Sequence, residues 1–485
     1  MNEALLKRLK EVDKCSYELA KDYKPGMKVP VRIIANEKLL REMDDMVVEQ
    51  ASNVATLPGI VKYSFVMPDG HWGYGFPIGG VAAFDAENGV ISPGGIGFDV
   101  NCGMRLVLTS LTINDVRPKL KELVDGLFER VPCGVGSQGF LRLNKQEFKQ
   151  VCEQGAKWVV ERGFGLEADL ETTEENGCMI GADASKVSER AIARGINQIG
   201  TLGSGNHYLE IQWLKQENIF DERLAKKWGL FPDQVVVMFH CGSRGFGHQV
   251  ASDYLKIFLD VMPKYGIKVI DRELAAAPFN SKEGQDYFAA MKCAMNMSWA
   301  NRQVILHRIR EVFSRVFGKD AEALGLKQLY DVAHNSAKLE RHEVDGKKRD
   351  LLVHRKGATR AFIAGMEGIP KRYADEGQPV IIGGSMETGS YLLVAQPKAR
   401  ETFYSTAHGS GRTLSRHQAK KMVKGEKLIK EMQERGIYVR TVSYAGVAEE
   451  AGLAYKNIDA VAEATEQAGI SKRVVKLIPI GNIKG

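Results

Sequence analysis

Apolar residues recur at two spacings along this chain, and the two spacings predict both helices and strands. A spacing of three to four residues predicts helices over residues 1–24, over 36–50 behind an Asn36 cap, and over 285–317. A continuous apolar run at 235–239 instead predicts a buried strand. Helical and strand patterns are interspersed without a fixed-period repeat, so we predict a mixed α/β (α+β) protein.

The same pattern bears on domain organisation. No low-complexity tract or clear linker interrupts the 485 residues, so we expect a single large domain over 1–485. Within it, residues 1–60 are expected to be an N-terminal portion of helix and strand, and residues 245–325 are a candidate helical insertion. The acidic run 167–176 is expected to be a solvated loop or helix face.

A glycine-rich segment from Pro68 to Arg105 departs from both spacings. Two short strands joined by a turn at Asn88-Gly89 are predicted inside it. The segment ends with Asp99 and Cys102, whose carboxylate and thiolate can both reach one metal ion from a tight turn. An isolated Asp-x-x-Cys is more often a glycine-rich surface loop with a buried structural cysteine.

Histidines elsewhere in the chain favour the metal interpretation. His207, His240, His334 and His408 each follow or interrupt a glycine-rich or strand-ending segment, where a sheet can hold a functional side chain rigidly. The imidazoles of His207, His240 and His334, with the Cys102 thiolate and the Asp99 carboxylate, are too few for two closed four-coordinate sites unless Cys102 is shared. Thiolate and imidazole donors by themselves suit zinc better than manganese.

Several glycine-rich turns offer backbone N–H groups suited to phosphate, although no Walker motif occurs. They are Gly203-Ser-Gly, Gly383-Gly-Ser-Met386 and Gly409-Ser-Gly411. His408, which directly precedes the third turn, is a candidate nucleophile because an imidazole nitrogen can attack a phosphoryl group and leave again. A glycine-rich turn with a capping histidine explains this motif about as well when it is taken alone.

Composition limits the compartment and the partners. The formal net charge of +7 allows an acidic partner such as RNA, and seven scattered cysteines without a CxxC pair fit a reducing compartment. No run of about 18 apolar residues is present, and the N-terminus lacks the apolar core of a signal peptide. We therefore expect a cytoplasmic protein that does not contact a membrane.

Taken together and in order, these motifs resemble those of the RtcB family of RNA-splicing ligases, from about Pro68 to Lys484-Gly485. The resemblance implies a ligase that uses GTP and two Mn²⁺ ions to join RNA ends bearing a 2′,3′-cyclic phosphate or 3′-phosphate to 5′-hydroxyl ends. It implies one Mn²⁺ held by Cys102, His240 and His334 and another held by Asp99, Cys102 and His207. It also implies that His408 forms a covalent adduct with GMP.

The resemblance further implies GTP contacts and partners. The GTP contacts would be Asn206, His207, Tyr208, Leu209, Glu210, His334, Asn335, Gly383, Gly384, Ser385, Met386, Ser390, His408, Gly409, Ser410, Gly411 and Lys484. The RNA would be tRNA halves or broken RNA ends, and the small activating protein archease is a candidate partner of an otherwise monomeric enzyme. Our candidates for RNA phosphate contacts are the basic residues Arg244, Arg355, Lys356, Arg360, Arg412 and Arg416.

Two other functions fit part of the same pattern. A dinuclear metal phosphodiesterase or phosphatase would use the Asp/Cys/His cluster without ligation, and neither His408 nor GTP would matter to it. An RNA chaperone with structural metals would keep its function after removal of His408.

Overall fold

Two large β-sheets and the helices packed on them make up most of the computed structural model, which describes all residues from Met1 to Gly485. The mixed α/β fold class is confirmed. No helix combines the length and the apolar character that crossing a bilayer requires.

The strands are distributed over the whole chain. They are β1 Leu9–Asp13, β2 Ser16–Leu19, β3 Val31–Ile34, β4 Ile60–His71, β5 Ile78–Asp85, β6 Val90–Ile91, β7 Gly103–Leu108, β8 Tyr208–Trp213, β9 Val235–Cys241, β10 Ala277–Pro278, β11 Lys327–Ala333, β12 Asn335–Val344, β13 Lys347–Lys356, β14 Ala358–Arg360, β15 Pro379–Ile382, β16 Ser390–Ala395, β17 Ser405–Ala407, β18 Tyr438–Thr441 and β19 Ser471–Lys484.

The helices lie mostly between these strands. They are α1 Glu3–Leu6, α2 Glu37–Glu42, α3 Asp45–Val54, α4 Ile113–Val116, α5 Leu120–Arg130, α6 Lys145–Gln154, α7 Ala156–Val160, α8 Glu167–Glu171, α9 Glu189–Gly195, α10 Glu222–Lys227, α11 Arg244–Val261, α12 Lys282–Phe317, α13 Arg416–Met422, α14 Gly425–Glu434, α15 Tyr444–Glu449 and α16 Ile458–Gln467.

The order of strands within the sheets decides which loops meet. One sheet has seven strands in the order β1-β2-β3-β4-β5-β13-β12. The other has eight strands, in the order β11-β7-β9-β8-β19-β16-β15, with β18 paired to β19. Two short pairs, β10 with β6 and β14 with β17, complete the strand pairing. Strands far apart in the chain therefore become neighbours in the second sheet.

Helix α12 supports the second sheet from inside the core. Ser281 caps its start, and Gly318 ends it in the left-handed conformation, as is common for helix C-termini. The buried Arg302 of this helix donates hydrogen bonds to both carboxylate oxygens of Asp331 on β11, at 2.8 and 2.9 Å. The candidate insertion 245–325 contains all of α12 and all but the first residue of α11, and it contributes directly to the packed core.

The helix predicted for residues 1–24 is wrong. Only Glu3–Leu6 is helical, and β1 and β2 form a hairpin at the edge of the seven-stranded sheet. Strand β2 pairs with β3, which buries Leu19 completely, whereas Val12 on the outer strand remains 45% exposed. Apolar residues at helical spacing were a weak signal here because pairing with a neighbouring strand outweighs local propensity. The Asn36 cap is confirmed, but the helix behind it divides at Met43 into α2 and α3.

The interpretation of residues 167–176 as a solvated segment is wrong for two of its carboxylates, although Glu167, Glu171 and Asn176 are exposed as predicted. Asp169 and Glu174 are buried, and each neutralises a buried cation. Arg310 donates two hydrogen bonds to the Asp169 carboxylate, at 2.6 and 2.7 Å, and Lys338 pairs with Glu174. A buried carboxylate needs such a partner because desolvation of an unpaired charge is costly, and the partners lie more than 130 residues away in the chain.

The glycine-rich segment contains the two predicted strands, β5 and β6, but they do not form a hairpin with each other. Strand β5 pairs with β4 and β13, while β6 pairs with β10. Gly89 between them cannot carry a side chain, because a Cβ atom would lie 2.4 Å from the carbonyl oxygen of Asp85. The rest of the segment turns back towards β7 and delivers Asp99 and Cys102 to the edge of the second sheet.

Candidate metal and nucleotide site

The Cys and His side chains suited to metal binding converge because they lie at the same end of four neighbouring strands. Strands β11, β7, β9 and β8 are adjacent and successively antiparallel, so the end of one lies beside the start of the next. His334 directly follows β11, Cys102 directly precedes β7, His240 is near the end of β9, and His207 directly precedes β8. Sheet topology therefore brings together residues that are up to 232 positions apart.

A tight turn places Asp99 beside Cys102. The amide of Cys102 donates to the carbonyl of Asp99 at 3.1 Å, and Asn101 between them adopts a left-handed conformation with φ of 56°. Asparagine tolerates this region better than most residues. Its side chain donates to the carbonyl of Met295, and its own carbonyl accepts from Arg302 at 2.8 Å, so helix α12 fixes the turn.

The five side chains form two overlapping triads. Cys102, His240 and His334 make one triad and Asp99, Cys102 and His207 make the other, with the ligand atoms in each lying within 4.8 Å of one another. Cys102 Sγ lies 3.0 Å from His240 Nε2 and 3.4 Å from His207 Nε2. His207 Nε2 lies 2.8 Å from Asp99 Oδ2, and His240 Nε2 lies 3.0 Å from His334 Nε2. The thiol of Cys102 thus belongs to both groups.

Hydrogen bonds behind the rings orient two of the imidazoles. His207 Nδ1 lies 2.8 Å from the carbonyl of Leu202, and His240 Nδ1 lies 3.0 Å from the carbonyl of Asn206. A carbonyl can only accept, so each Nδ1 carries the proton and each Nε2 presents its lone pair to the centre of the cluster. This is the arrangement that histidine ligands adopt around a metal ion.

The electrostatics of the cluster also fit a cation. Burial lowers the pKa of His240 and of His334 well below the ordinary value, so both rings are neutral and able to donate a lone pair. Burial raises the pKa of Cys102 well above its ordinary value, and the nearby Asp99 carboxylate adds to this shift. A thiolate is therefore costly here unless a cation compensates it. Each triad offers three donors of types that divalent transition metals accept, and leaves coordination positions for other ligands.

His408 lies next to this cluster and is held by a carboxylate that sequence analysis missed. Its ring centroid is 4.8 Å from that of His334, and its Nδ1 lies 2.5 Å from Oδ2 of Asp69. The same oxygen accepts from the backbone amides of His408 and Gly409, both at 3.1 Å. Burial alone would raise the pKa of Asp69, but His408 outweighs it and lowers that pKa, so the group is an anion. A carboxylate can only accept, so this contact places a proton on Nδ1 of His408.

A cavity of about 350 Å³ opens beside His408. The turns 383–386 and 408–411 form one wall, where the Gly383 amide donates to the carbonyl of His408 and the Ser410 amide donates to the carbonyl of Gly383, both at 3.0 Å. Gly411 has a φ of 74°, and a Cβ atom there would lie 2.1 Å from the carbonyl oxygen of Asp69. The hydroxyl oxygen of Ser410 is buried without a partner, as expected of a group that binds a ligand.

The C-terminal strand forms the opposite wall. Lys484 is only 4% exposed, lines the cavity and lies on β19, which pairs with β8 and β18. Its ammonium nitrogen is 5.6 Å from the ring centroid of Tyr208. Behind this wall, Glu210 accepts hydrogen bonds from Gln212 at 2.7 Å and Asn482 at 2.6 Å. Burial raises the pKa of Glu210 to about 7.

The other predicted nucleotide contacts fall into two groups. Asn206 lines the first cavity and also a second one of about 240 Å³, which Asn335 and the cluster residues Asp99, Cys102 and His334 share. Leu209, Glu210 and Ser390 are not among the residues that line the first cavity. Ser390 instead supports its wall, because its hydroxyl oxygen accepts from the amide of Gly384 at 3.3 Å.

The structure removes two of the predicted RNA contacts. Arg355 and Arg360 are 1% and 3% exposed and lie in buried ion pairs, Arg355 with Glu340 and Arg360 with Glu175. Their sequence, rich in basic residues, predicted a surface, whereas it forms strands β13 and β14 inside the fold. A guanidinium that is already enclosed with carboxylates cannot reach an RNA phosphate.

The remaining RNA candidates are closer to the cavities. Lys356 is buried, donates to the carbonyls of Tyr74 and Phe76, and lines the second cavity. Arg244 is largely buried and donates to the hydroxyl oxygen of Thr201 at 3.1 Å. Arg412 and Arg416 line the first cavity, and the side chain of Arg416 is 53% exposed. Only these last two remain near an accessible surface.

Sequence analysis also missed Tyr455 and Glu450, which line the first cavity. The Tyr455 hydroxyl donates to the Glu450 carboxylate and accepts from Arg412 at 3.0 Å. No local motif marks either residue. Asp69 had a weak signal, because it is a carboxylate beside a glycine within the segment Pro68 to Arg105.

The fold and this site define a class of mixed α/β protein with two adjoining features. A Cys/His/Asp cluster lies where four strands of one sheet end, and beside it is a cavity lined by glycine-rich turns and by a histidine that a carboxylate holds.

Comparison with known proteins identifies the family. The family model described as tRNA-splicing ligase RtcB matches residues 50–485. The chain is 55% identical over 479 residues to the tRNA-splicing ligase RtcB of Thermococcus kodakarensis, with 98% of this chain and 99% of the relative covered. It is 52% identical to the protein of the same name from Archaeoglobus fulgidus, over 98% of this chain and 99% of that one. It is 53% identical to that of Methanococcus maripaludis, over 97% and 98%. The chain belongs to the RtcB family, and the resemblance noted from its motifs is confirmed.

Proposed function

We propose that this protein is an RNA ligase that uses GTP and two Mn²⁺ ions to join a 2′,3′-cyclic phosphate or 3′-phosphate RNA end to a 5′-hydroxyl end. Membership of a family of tRNA-splicing ligases supports RNA ligation in tRNA splicing as its role. The observation that carries the chemistry is the contact between His408 and the buried Asp69, because it leaves one imidazole nitrogen free beside the cavity.

In the proposed first step, His408 Nε2 attacks the α-phosphorus of GTP. A nitrogen–phosphorus bond forms, the bond from phosphorus to the bridging oxygen breaks, and pyrophosphate leaves. The ring gains positive charge as its lone pair is used, and the Asp69 carboxylate at Nδ1 stabilises that charge without removing the proton. Asp69 is thereby an orienting group as well as an electrostatic one.

The following steps return the histidine to its starting state. A 2′,3′-cyclic phosphate end is first hydrolysed to a 3′-phosphate. An oxygen of that phosphate attacks the GMP phosphorus and displaces His408 Nε2, which regains its lone pair. The 5′-hydroxyl oxygen of the second RNA strand then attacks the RNA phosphorus, and GMP leaves while the proton of the hydroxyl goes to solvent or to a base.

The two triads are the proposed metal sites. Cys102, His240 and His334 would hold one Mn²⁺, and Asp99, Cys102 and His207 would hold the other. Bound metal ions supply Lewis-acid stabilisation of the negative charge on phosphate oxygens. The donor set by itself also suits zinc, so the assignment of manganese rests on the family.

The GTP contacts predicted from the motifs are retained in this proposal. The turns 383–386 and 408–411 would line the phosphates, with the unpartnered hydroxyl of Ser410 as a donor. Six of their eight amides already donate within the protein, those of Gly383, Gly384, Ser385, His408, Gly409 and Ser410. Glu210 would accept hydrogen bonds from the guanine edge, with Lys484 nearby as a cation. Because Glu210 lies behind the cavity wall, guanine would have to displace the hydrogen bonds that Gln212 and Asn482 donate to it. We also propose a monomeric, cytoplasmic enzyme with archease as an activating partner, acting on tRNA halves and on broken RNA ends.

A ligation assay with two short RNAs tests the proposal. One strand carries a 3′-phosphate and the other a labelled 5′-hydroxyl end, and joining is followed on a denaturing gel with and without GTP and Mn²⁺. The proposal expects joined product only when both are present, loss of product in His408→Ala, and normal product in His417→Ala, a change at an exposed histidine. Release of phosphate without joining, unaffected by His408→Ala, would instead favour a dinuclear hydrolase.

A further inference from the structure

The five tryptophans of this chain have different surroundings, and Trp72 alone has no packing partner for its ring. Trp158, Trp228 and Trp299 are buried, and Trp213 carries the cations of Arg117 and Lys215 against its face. Trp72 is 61% exposed, contacts no other aromatic ring or cation, and makes no side-chain hydrogen bond. A single exposed apolar side chain is ordinary in itself, so the informative feature of Trp72 is its position.

The backbone that carries Trp72 is nevertheless held firmly on both sides. The side-chain amide of the buried Gln50 donates to the carbonyl of Gly73 at 2.8 Å, and the Gly73 amide donates back to Gln50 at 3.0 Å. On the other side, the Lys456 ammonium donates to the carbonyl of Gly70 at 2.6 Å. The backbone position of the indole is thus fixed, and its side chain, which has only two rotatable bonds, faces solvent. A side chain with so few rotatable bonds loses little conformational entropy when a ligand stacks on it.

Trp72 lies where two cavities meet. The cavity beside His408 continues into an open groove of about 750 Å³, and four residues line both: His71, Trp72, Arg412 and Arg416. Anything that extends out of the first cavity along this groove must pass the indole. Because the 3′-phosphate of RNA has to reach a GMP held on His408, the attached nucleotides have to leave by such a route.

The charges along the groove orient a strand within it. Glu42, Asp44, Arg412 and Arg416 all line it. The side chain of Arg416 is 53% exposed, whereas the guanidinium of Arg412 is already bonded within the protein. A phosphate is therefore favoured beside Arg416, and a base, which carries no charge, is favoured over the indole. Stacking on an aromatic side chain is how proteins commonly hold unpaired RNA bases.

From this geometry we propose that Trp72 is the stacking platform for a base at the RNA end, in a subsite formed by the groove between Arg412, Arg416, Glu42 and Asp44. The inference rests on the proposed ligase function and adds a residue that positions the RNA. It predicts recognition of the base by its face, so any of the four bases is accepted.

The test combines a protein change with an RNA change. Binding of a fluorescein-labelled RNA with a 3′-phosphate, and separately of one with a 5′-hydroxyl, is measured by fluorescence anisotropy for the wild type, Trp72→Ala and Trp72→Phe. Each RNA is also made with its terminal nucleotide lacking a base. Trp72→Ala is expected to weaken binding of at least one intact RNA by roughly 5- to 150-fold, and Trp72→Phe is expected to restore most of it. Phe220→Ala, at an aromatic residue that is 43% exposed outside the groove, is the matched control and should bind like the wild type.

The decisive comparison is between the two changes. If the base stacks on Trp72, the RNA that lacks this base binds the wild type and Trp72→Ala with the same affinity, because the contact is already absent. Equal losses from Trp72→Ala with and without the base, or no loss for either strand, would overturn the proposal. Covalent transfer of GMP from GTP without RNA is measured for each variant in parallel. A loss of GTP affinity as large as the loss of RNA affinity would assign the indole to guanine instead. A wild type that binds RNA but never takes up GMP would refute the ligase function while leaving the anisotropy test of Trp72 intact.

Discussion

Replacing Asp69 with asparagine changes one charge at the centre of the proposed mechanism and little else in shape. The carboxylate oxygen Oδ2 accepts from Nδ1 of His408 at 2.5 Å and from the backbone amides of His408 and Gly409 at 3.1 Å. An asparagine that presents its oxygen there keeps all three donors but loses the negative charge. One that presents its amide nitrogen faces three donors with another donor, and drives the proton of the ring onto Nε2.

The magnitude of the Asp69→Asn effect follows from these contacts. A hydrogen bond to a charged group contributes about 1.5–3 kcal/mol, which corresponds to roughly 10- to 150-fold in rate if it is lost as the ring becomes positive. Population of the wrong tautomer reduces the rate further, so we expect transfer of GMP to His408 to slow by about 10²- to 10⁴-fold.

Single-turnover transfer of labelled GMP to the protein measures the effect of Asp69→Asn. The apparent affinity for GTP should change much less than the rate, since Asp69 contacts the histidine and is not among the residues that line the cavity. The matched control is Asp459→Asn, which removes a carboxylate that bonds to Tyr391 and Lys476 away from the cavity. A rate for Asp69→Asn within threefold of the wild type, with the protein folded, would refute the role of Asp69.

Three further predictions follow from other parts of the site. Cys102 belongs to both triads, so Cys102→Ala should lower the metal content of the manganese-loaded protein from two ions to fewer than one, whereas Asp99→Asn should retain one. Elemental analysis after dialysis measures the metal content of both variants, and equal losses would contradict the sharing of Cys102. Lys456→Met leaves the carbonyls of Pro68 and Gly70, on either side of Asp69, without their donor. The free energy of unfolding in urea should fall by about 2 kcal/mol or more, and GMP transfer should slow. Unchanged values of both would show that the Lys456 ammonium is dispensable. The pKa of Glu210 is raised to about 7 in the folded protein, which therefore favours the neutral carboxyl group. The stability that this group contributes is complete below about pH 4.5 and falls by about 3 kcal/mol as pH rises to about 7. Glu210→Gln should therefore flatten the dependence of the urea-unfolding free energy on pH between about pH 5 and 7.

Residue types and motif order predicted which five side chains form the cluster, but the way they meet depends on topology. His334 and Cys102 belong to neighbouring strands only because β11 pairs with β7, and no spacing in the sequence encodes that pairing. The contact between Asp69 and His408 was not predicted for the same reason, because the two residues are 339 positions apart in the sequence. A local pattern can reveal that a residue is suited to a site, whereas long-range pairing decides whether it arrives there.

The burial of charged side chains was the second feature that could not be predicted from the sequence. Arg355 and Arg360 looked like an RNA-binding surface because basic residues are usually exposed, yet each found a carboxylate inside the fold. The interpretation of the acidic run 167–176 failed at Asp169 in the same way, because its partner Arg310 lies on a helix that is distant in the sequence. Long strands with continuous apolar runs, such as β9, and a long capped helix, such as α12, were predicted correctly because their signal is local.

The most direct test of the proposed mechanism is whether His408 takes up GMP. Purified protein, exchanged into Mn²⁺, is incubated with GTP labelled on the α-phosphate, and the denatured protein is analysed on a gel. The account predicts label that stays on the protein, is released by acid and is stable to base, as a nitrogen–phosphorus bond requires, and that is absent in His408→Ala. Protein that remains unlabelled after the metal exchange, or label that persists in His408→Ala, would contradict the account.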